Sequence, residues 1–579
     1  GMVMSTPVHR GGSDQRQTGR ERSKGSSLEG AMTSNWLAAC VSLLFFVEAG
    51  WRFYTSVKLG SSVEGSNYSN YVDAVFNGVN FVALGSIGLG FVAWPAVEPF
   101  TRRLKERTST EPTTTEERAE VVVSKTSLPK SFRTIRSRKS LSRRYAQMEE
   151  GEDDAQDRAE ASARAMTPAG DAPEQPRKEK KILMFLTNLK VTLIIGVVTY
   201  HVLEEFYNPE VAGVAQVSSM VRHEDTSRFF YNFTSWLETV CQPFGMGLFL
   251  FISAYFCPAS LDRKGLRSFV LDKIVRLGGA FILYSALLGP LNQMWITYLG
   301  TKQIEYTYDP DIVWFVLWLM NWTIVYAIVA QYVPAIKVGL PHAFVLLLAG
   351  AAMSGAYYGL SLGIPRLFMR TGGMEYWNYG LAIYMPMFFA GILGGRNDWM
   401  TGLVEMERWL VWLLRVLVVA AWAVAGVYCS QNTELFGLQI GSLGLDPTYF
   451  QLLFPGVYSV PISIALIQIY HEFCNGTPQN KVMAFMSNAS YAVYVTHKIP
   501  VNVVVLTFTQ ILEASGKTVL FMGSGHSLMW FLKSSDGLPD IPSSAIIWGG
   551  FIFCFALTQL VAWPLAFYFR KLPILNQIL

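Results

Sequence analysis

Long apolar runs broken by short polar stretches dominate the chain from residue 182 to its end. Ten such runs lie near 182–203, 236–257, 268–292, 311–332, 337–360, 379–395, 408–429, 449–470, 484–511 and 545–569. Each is close to the length that crosses a hydrocarbon core of about 30 Å at about 1.5 Å per helical residue. Two further runs, near 35–54 and 72–97, precede them. In lipid only helices of this length satisfy their own backbone. The pattern therefore predicts an all-α polytopic transmembrane bundle, with a ten-helix core and two extra N-terminal helices. It divides the chain into a Gly-, Ser- and Arg-rich tail at 1–33, expected to be disordered, the helix pair at 34–100, a polar linker at 101–180 and the core at 181–579.

Composition agrees and adds one asymmetry. Of 579 residues, 51% are hydrophobic and only 16% charged, with a mean hydropathy of +0.28. The net charge of +4 is too small to suggest a nucleic-acid partner. Residues 101–180 hold 18 Lys/Arg and 15 Asp/Glu, so the rest of the chain is unusually poor in charge. Within the linker, Lys125–Arg144 is basic and Glu149–Asp157 acidic. That stretch reads as a solvated disordered linker or, with Ser131, Ser137, Ser140 and Ser142 interleaved, as a phosphorylation-tuned contact to anionic lipid. Six scattered cysteines with no C-x-x-C indicate neither a disulfide framework nor a zinc site, and no metal is expected.

Loop charge sets an expected orientation. The linker and the loop containing Arg263, Lys264, Arg267, Lys273 and Arg276 should be cytosolic, as should both termini. The sequons at Asn67 and Asn232 then fall outside and the one at Asn475 inside. No period of 20–50 residues indicates a repeat array.

The candidate chemistry lies in the first core run, FLTNLKVTLIIGVVTYHVLEEF. Lys190 and His201 are eleven residues apart, about 16.5 Å along a helix and about 20° from the same face. Glu204 and Glu205 stand at i+3 and i+4 from His201, within reach of its ring. Ionisable groups inside an apolar span point to function. Two plainer readings stay open: Lys190 snorkelling to the interface, and His201 as an interfacial histidine. Either carboxylate could orient His201's second nitrogen or raise its pKa, and either could equally be a surface charge, which is the preferred reading for Glu204.

A basic residue, ten residues and a histidine in the first core helix resemble the acyltransferase 3 family of membrane acyltransferases. Arginine is usual there; this chain has Lys190. GLFLFISAYFCPASLDRKGLRSFVLDKIVRLG resembles the family's second span and basic loop, with Ala254 in place of a glycine. DIVWFVLWLM resembles its Trp-Phe element, MPMFFAGILGGR its phenylalanine-glycine span end, and SNASYAVYVTHKIPV its late Tyr-x-x-Tyr-x-x-His element. The resemblance covers about 182–570 and is nearest the branch that includes glucan biosynthesis protein C.

The resemblance implies transfer of an acyl group, acetyl, succinyl or similar, from cytosolic acyl-coenzyme A to a hydroxyl of a carbohydrate or other acceptor. Acyl-coenzyme A is then a co-substrate, no cofactor is held permanently, and membrane lipids are the other contact. It implies catalytic roles for His201, Lys190 and Glu205. Arg267, Lys273 and Arg276 would bind the coenzyme, and Tyr255, Trp314, Tyr491, Tyr494 and His497 would line the substrate site. Independently, an alcohol acceptor needs a base near neutral pH, for which histidine is suited. Tyr491, Tyr494 and His497 recur at i, i+3 and i+6, so all three need not face one pocket. An interfacial aromatic belt accounts equally well for them and for Trp314, as the positive-inside rule does for the basic loop. A secondary transporter or a non-catalytic lipid receptor remains the rival reading of such a helical body.

Overall fold

The structure is a computed structural model. It describes residues 36–47, 82–93, 178–206, 225–304, 306, 310–363, 380–429, 434–435, 438–439, 447–475, 481–524, 527–533, 539–540 and 542–579. The linker up to residue 177, the tail and the Asn67 sequon lie outside these residues.

The described chain is an all-α bundle. Its helices are α1 Trp36–Val47, α2 Val82–Ala93, α3 Lys178–Glu204, α4 Asp225–Lys264, α5 Leu266–Thr301, α6 Asp311–Val329 and α7 Ala343–Gly363. There follow α8 Met385–Asn397, α9 Trp399–Val404, α10 Arg408–Cys429, α11 Pro447–Cys474, α12 Lys481–Thr496, α13 Lys498–Ala514, α14 Ser544–Phe569 and α15 Leu575–Ile578. Among the described residues, eight helices are long and apolar enough to cross a membrane, or nine if α12 and α13 form one span. Of the ten expected core crossings, 379–395 is the one not among these apolar spans. A π-helical turn, Gly380–Tyr384, runs directly into the 13 residues of α8, so the described helical segment is 380–397. At about 1.5 Å per residue it is close to the length of a crossing, and its polar end at Arg396 and Asn397 lowers its apolar character.

Two further expectations are corrected. The run at 337–360 becomes helical only at Ala343, because Pro341 precedes it and cannot continue a helix. The run at 484–511 is not one helix. It breaks between Thr496 and Lys498 with a bend of 76°. His497 N donates to Val493 O at 2.9 Å and Val501 N to His497 O at 3.0 Å, so helical bonding continues on either side. Pro500 has no N–H for the Thr496 carbonyl four residues back, which is the usual cause of a sharp kink. The Asn232 sequon lies within α4, and its Thr234 hydroxyl is buried and donates to Phe230 O at 2.9 Å.

The connection after α13, where the apolar pattern predicts no element, forms an antiparallel hairpin. β3 Val519–Ser524 pairs with β4 Ser527–Lys533, and β5 Pro539–Asp540 adds to β4. A two-residue pair, β1 Glu434–Leu435 and β2 Leu438–Gln439, is the other sheet described. Leu528, Trp530, Phe531 and Leu532 of β4 are buried, so the strand is covered on both faces at its C-terminal half.

Close helix approach organises the core. α4 ends at Gly265, whose φ of +75° a side chain would strain, and α5 starts at the next residue. α4 and α8 then cross through a Gly-x-x-x-Gly surface. A Cβ at Gly391 would collide with the Phe251 carbonyl oxygen, and one at Gly395 with that of Tyr255. Small residues let backbones approach where lipid supplies no hydrophobic drive between helices. Ala254 belongs to this crossing, 2.8 Å from the Gly391 Cβ position, so its small size has a packing reason. The N-terminal pair also joins the core. Phe45 of α1 stacks on Phe281 of α5 with centroids 6.3 Å apart, and Arg267 Nε donates to Phe91 O of α2 at 2.8 Å.

Gly391→Val should destabilise the bundle by about 1–3 kcal/mol through overpacking. The check is the thermal unfolding midpoint of purified protein in detergent; an unchanged midpoint would mean that α4 and α8 do not meet there.

Candidate active site

His201 lies in the last turn of α3. α3 runs antiparallel to α4: Tyr200 OH donates to Glu238 at 3.3 Å, and Lys190 Nζ lies 5.0 Å from the Phe256 ring centroid. Lys190 and His201 therefore mark two levels of the bundle. The Lys190 end also carries the close of α4 and the start of α5.

At the His201 end, the His201 Nδ1 sits 2.6 Å from Glu204 Oε2. A carboxylate only accepts, so Nδ1 carries the hydrogen and Nε2 keeps its lone pair. Lys498 Nζ donates to the same Glu204 oxygen at 3.2 Å and lies 3.3 Å from Glu205 Oε1. Glu205 is buried, and its other oxygen accepts from the Leu528 N–H of β4. Lys498, only 1% exposed, is thus held between two carboxylates carried by the end of α3.

His497 occupies the corner between α12 and α13, fully buried. Its Nδ1 is 2.8 Å from Tyr494 O and 3.2 Å from Val493 O. Carbonyls also only accept, so here too Nδ1 is the protonated nitrogen. Among the described residues, the Nε2 of His497 has no hydrogen-bond partner. The two imidazole rings are 4.9 Å apart and tilted by 39°. The bend of the broken span is what brings them together. Each offers Nε2 as a base, and each is oriented by a bond to Nδ1, the arrangement that general base catalysis by histidine requires.

Several expected site residues lie elsewhere or have other partners. Glu205 faces Lys498 and β4; the carboxylate on the His201 ring is Glu204, expected to be a surface charge. Tyr491 OH donates to Arg276 O at 3.1 Å, and Tyr494 OH donates to Ile312 O in the first turn of α6. With His497 turned to His201, the three residues of the late motif thus reach three different neighbours. Trp314 stacks on Tyr384 at 5.7 Å, and Tyr384 OH donates to Gln242 O at 3.3 Å. Tyr255 is at the Lys190 end, its hydroxyl 3.5 Å from Asp398 Oδ1. Nearby, Arg396 bonds Asp262 at 2.6 Å and the Tyr326 hydroxyl at 2.9 and 3.1 Å. Arg267 reaches α2, and Lys273 Nζ lies 5.4 Å from the Phe269 ring centroid on its own helix. Among the described residues, no group of three His, Cys, Asp or Glu is placed to hold a metal ion.

Sequence reasoning missed Lys498. The signal was present: a lysine beside His497 in the otherwise apolar stretch YAVYVTHKIPV.

A family model described as an acyltransferase domain matches residues 184–567. The chain belongs to the acyltransferase 3 family, and it is a multi-pass membrane acyltransferase of groups other than aminoacyl. No curated protein and no solved structure gave a significant match.

Glu204→Gln keeps the side-chain shape but removes the charge on His201 Nδ1. Turnover should fall by about tenfold or more, by analogy with the loss of an orienting carboxylate in a triad. Steady-state acyl transfer by the purified variant measures this, and parent-like turnover would remove Glu204 from the site.

Proposed function

We propose that this enzyme moves an acetyl, succinyl or similar acyl group from acyl-coenzyme A to a hydroxyl of a carbohydrate or other acceptor, with His201 as general base. The observation that carries the reading is the His201–Glu204 contact of 2.6 Å beside the buried His497 imidazole. In the step, the acceptor O–H gives its proton to Nε2 of His201 and its oxygen bonds to the thioester carbonyl carbon. The tetrahedral intermediate collapses with cleavage of the C–S bond, and the thiolate takes the proton back from the imidazolium. No serine or cysteine nucleophile is needed.

The donor would enter at the Lys190 end, which we infer faces the cytosol. Lys190 supplies a point charge for phosphate or for the thioester oxygen, without the planar fork of arginine. Lys273 and Arg276, in the first turns of α5, would add positive charge for the coenzyme phosphates, and Arg267 would do so while tied to α2. The pantetheine arm would then run along α3 over the separation of about 16.5 Å between Lys190 and His201. The acceptor hydroxyl would arrive at the other end, beside the α12–α13 corner and the β3–β4 hairpin.

The test uses purified protein, labelled acetyl- or succinyl-coenzyme A and candidate glycans. His201→Ala should lose at least about a hundredfold in transfer rate. Transfer as fast as in the parent would end the assignment. Donor binding that is absent from both proteins, with solute flux across vesicles persisting, would favour a carrier, which a broken span would also suit. At the other end, Lys190→Arg should retain activity and Lys190→Ala abolish it. Inactivity of the arginine variant would point to a geometry only lysine can supply.

A further inference from the structure

The roles proposed so far leave the buried ammonium beside the histidine pair unused. Lys498 is 1% exposed, lies next to His497 in the chain, and touches three groups carried by the last turns of α3. An ammonium out of water is costly unless it is paired and hydrogen-bonded. Here the pairing is divided. Glu205 lies 3.3 Å from Nζ and is itself held by the Leu528 N–H, so it is fixed from a second side. Glu204 lies 3.2 Å from Nζ through Oε2, the oxygen that also meets His201 Nδ1. The remaining His201–Lys498 approach, Nδ1 to Nζ at 3.5 Å, sets two donors against each other, so Glu204 must lie between them to accept from both.

We propose that Lys498 is a positioning residue for the acyl transfer. It anchors the Glu204 carboxylate so that His201 keeps its hydrogen on Nδ1 and presents Nε2 as the base. Without the ammonium, Glu204 has only the imidazole to hold it. At 25% side-chain exposure it can rotate to solvent, leaving His201 free to change tautomer and turn. Lys498 also couples the two histidines mechanically. It begins α13 directly after His497, so its bond to α3 fixes the α12–α13 corner against the helix that carries His201. This inference rests on His201 being the base. Other charged or titratable groups near the cluster are Asp311 at the start of α6, which acts on Lys498 through space, and Cys554 of α14 near Glu205.

A double-mutant cycle tests the role. Parent, Lys498→Met, Glu204→Gln and the double variant are compared in kcat and in KM for the acyl donor. If Lys498 acts through Glu204, each single variant loses about tenfold or more in kcat, and the double variant is no slower than the slower single one. KM for the donor should stay within about threefold, because the donor phosphates are placed at the opposite end of α3. Lys498→Arg, which keeps the charge, should recover most of the loss. Because Lys498→Met leaves Glu205 buried without its cation, the same comparison is also run with Glu205→Gln as the reference, which keeps the interior neutral. The positioning role is overturned by parent-like kcat in folded Lys498→Met. It is equally overturned by losses that multiply in the double variant, or by no recovery with arginine. His201→Ala separates the two levels. If that variant is active, the assignment of the base has failed. If it is inactive while Lys498→Met is fast, only the role of Lys498 has failed.

Discussion

A charge removed from water needs partners, and in a membrane bundle the partners must come from other helices. Lys498 shows what this does to a fold. Its ammonium reaches Glu204 and Glu205 at the end of α3, while Glu205 also takes the Leu528 N–H of the hairpin. Three pieces of chain distant in sequence therefore meet at one ion cluster: the end of α3, the His497–Lys498 corner that opens α13, and the strand β4. Breaking such a cluster by removing one member leaves an uncompensated charge, at a cost of about 3–5 kcal/mol. The histidine pair sits against this cluster, His201 held by Glu204 and His497 by the Val493 and Tyr494 carbonyls.

The opposite end of α3 is built differently. There, close packing rather than charge sets the geometry. Gly391 and Gly395 let α8 lie on α4 with almost no side chain between them, which brings Arg396 to Asp262 and Tyr326. The tight turn at Gly265 then aims α5 so that Arg267 meets the carbonyl end of α2. The extra helices α1 and α2 thus rest on the helix that carries Arg267, Lys273 and Arg276. α3 thus joins two ends: a basic, glycine-packed end and an ion-paired end that carries the histidine pair.

Part of this arrangement is legible in the order of the residues. The Lys190–His201 spacing and the low charge of the surrounding run mark α3 as the helix to watch, and five motifs in order point to the acyltransferase 3 family. The assignment between neighbours at i+3 and i+4 is not legible there. Both Glu204 and Glu205 can reach His201 by helical geometry alone, and only the position of Lys498 and β4 separates them. Likewise the i, i+3, i+6 motif of Tyr491, Tyr494 and His497 predicts a divergent set of side chains but not their neighbours, which are Arg276 O, Ile312 O and His201.

The sequence by itself determined the class of structure, because a backbone in lipid has few ways to satisfy its hydrogen bonds and helix length follows from bilayer thickness. It also determined which ionisable groups would be conspicuous. Only the tertiary structure decided what those groups do to one another. Glu204 and Lys498 are 294 positions apart, and their contact depends on a 76° bend that Pro500 makes possible but whose direction the surrounding helices set. Periodicity records which face a residue occupies on its own helix. It carries no record of which other helix that face will meet.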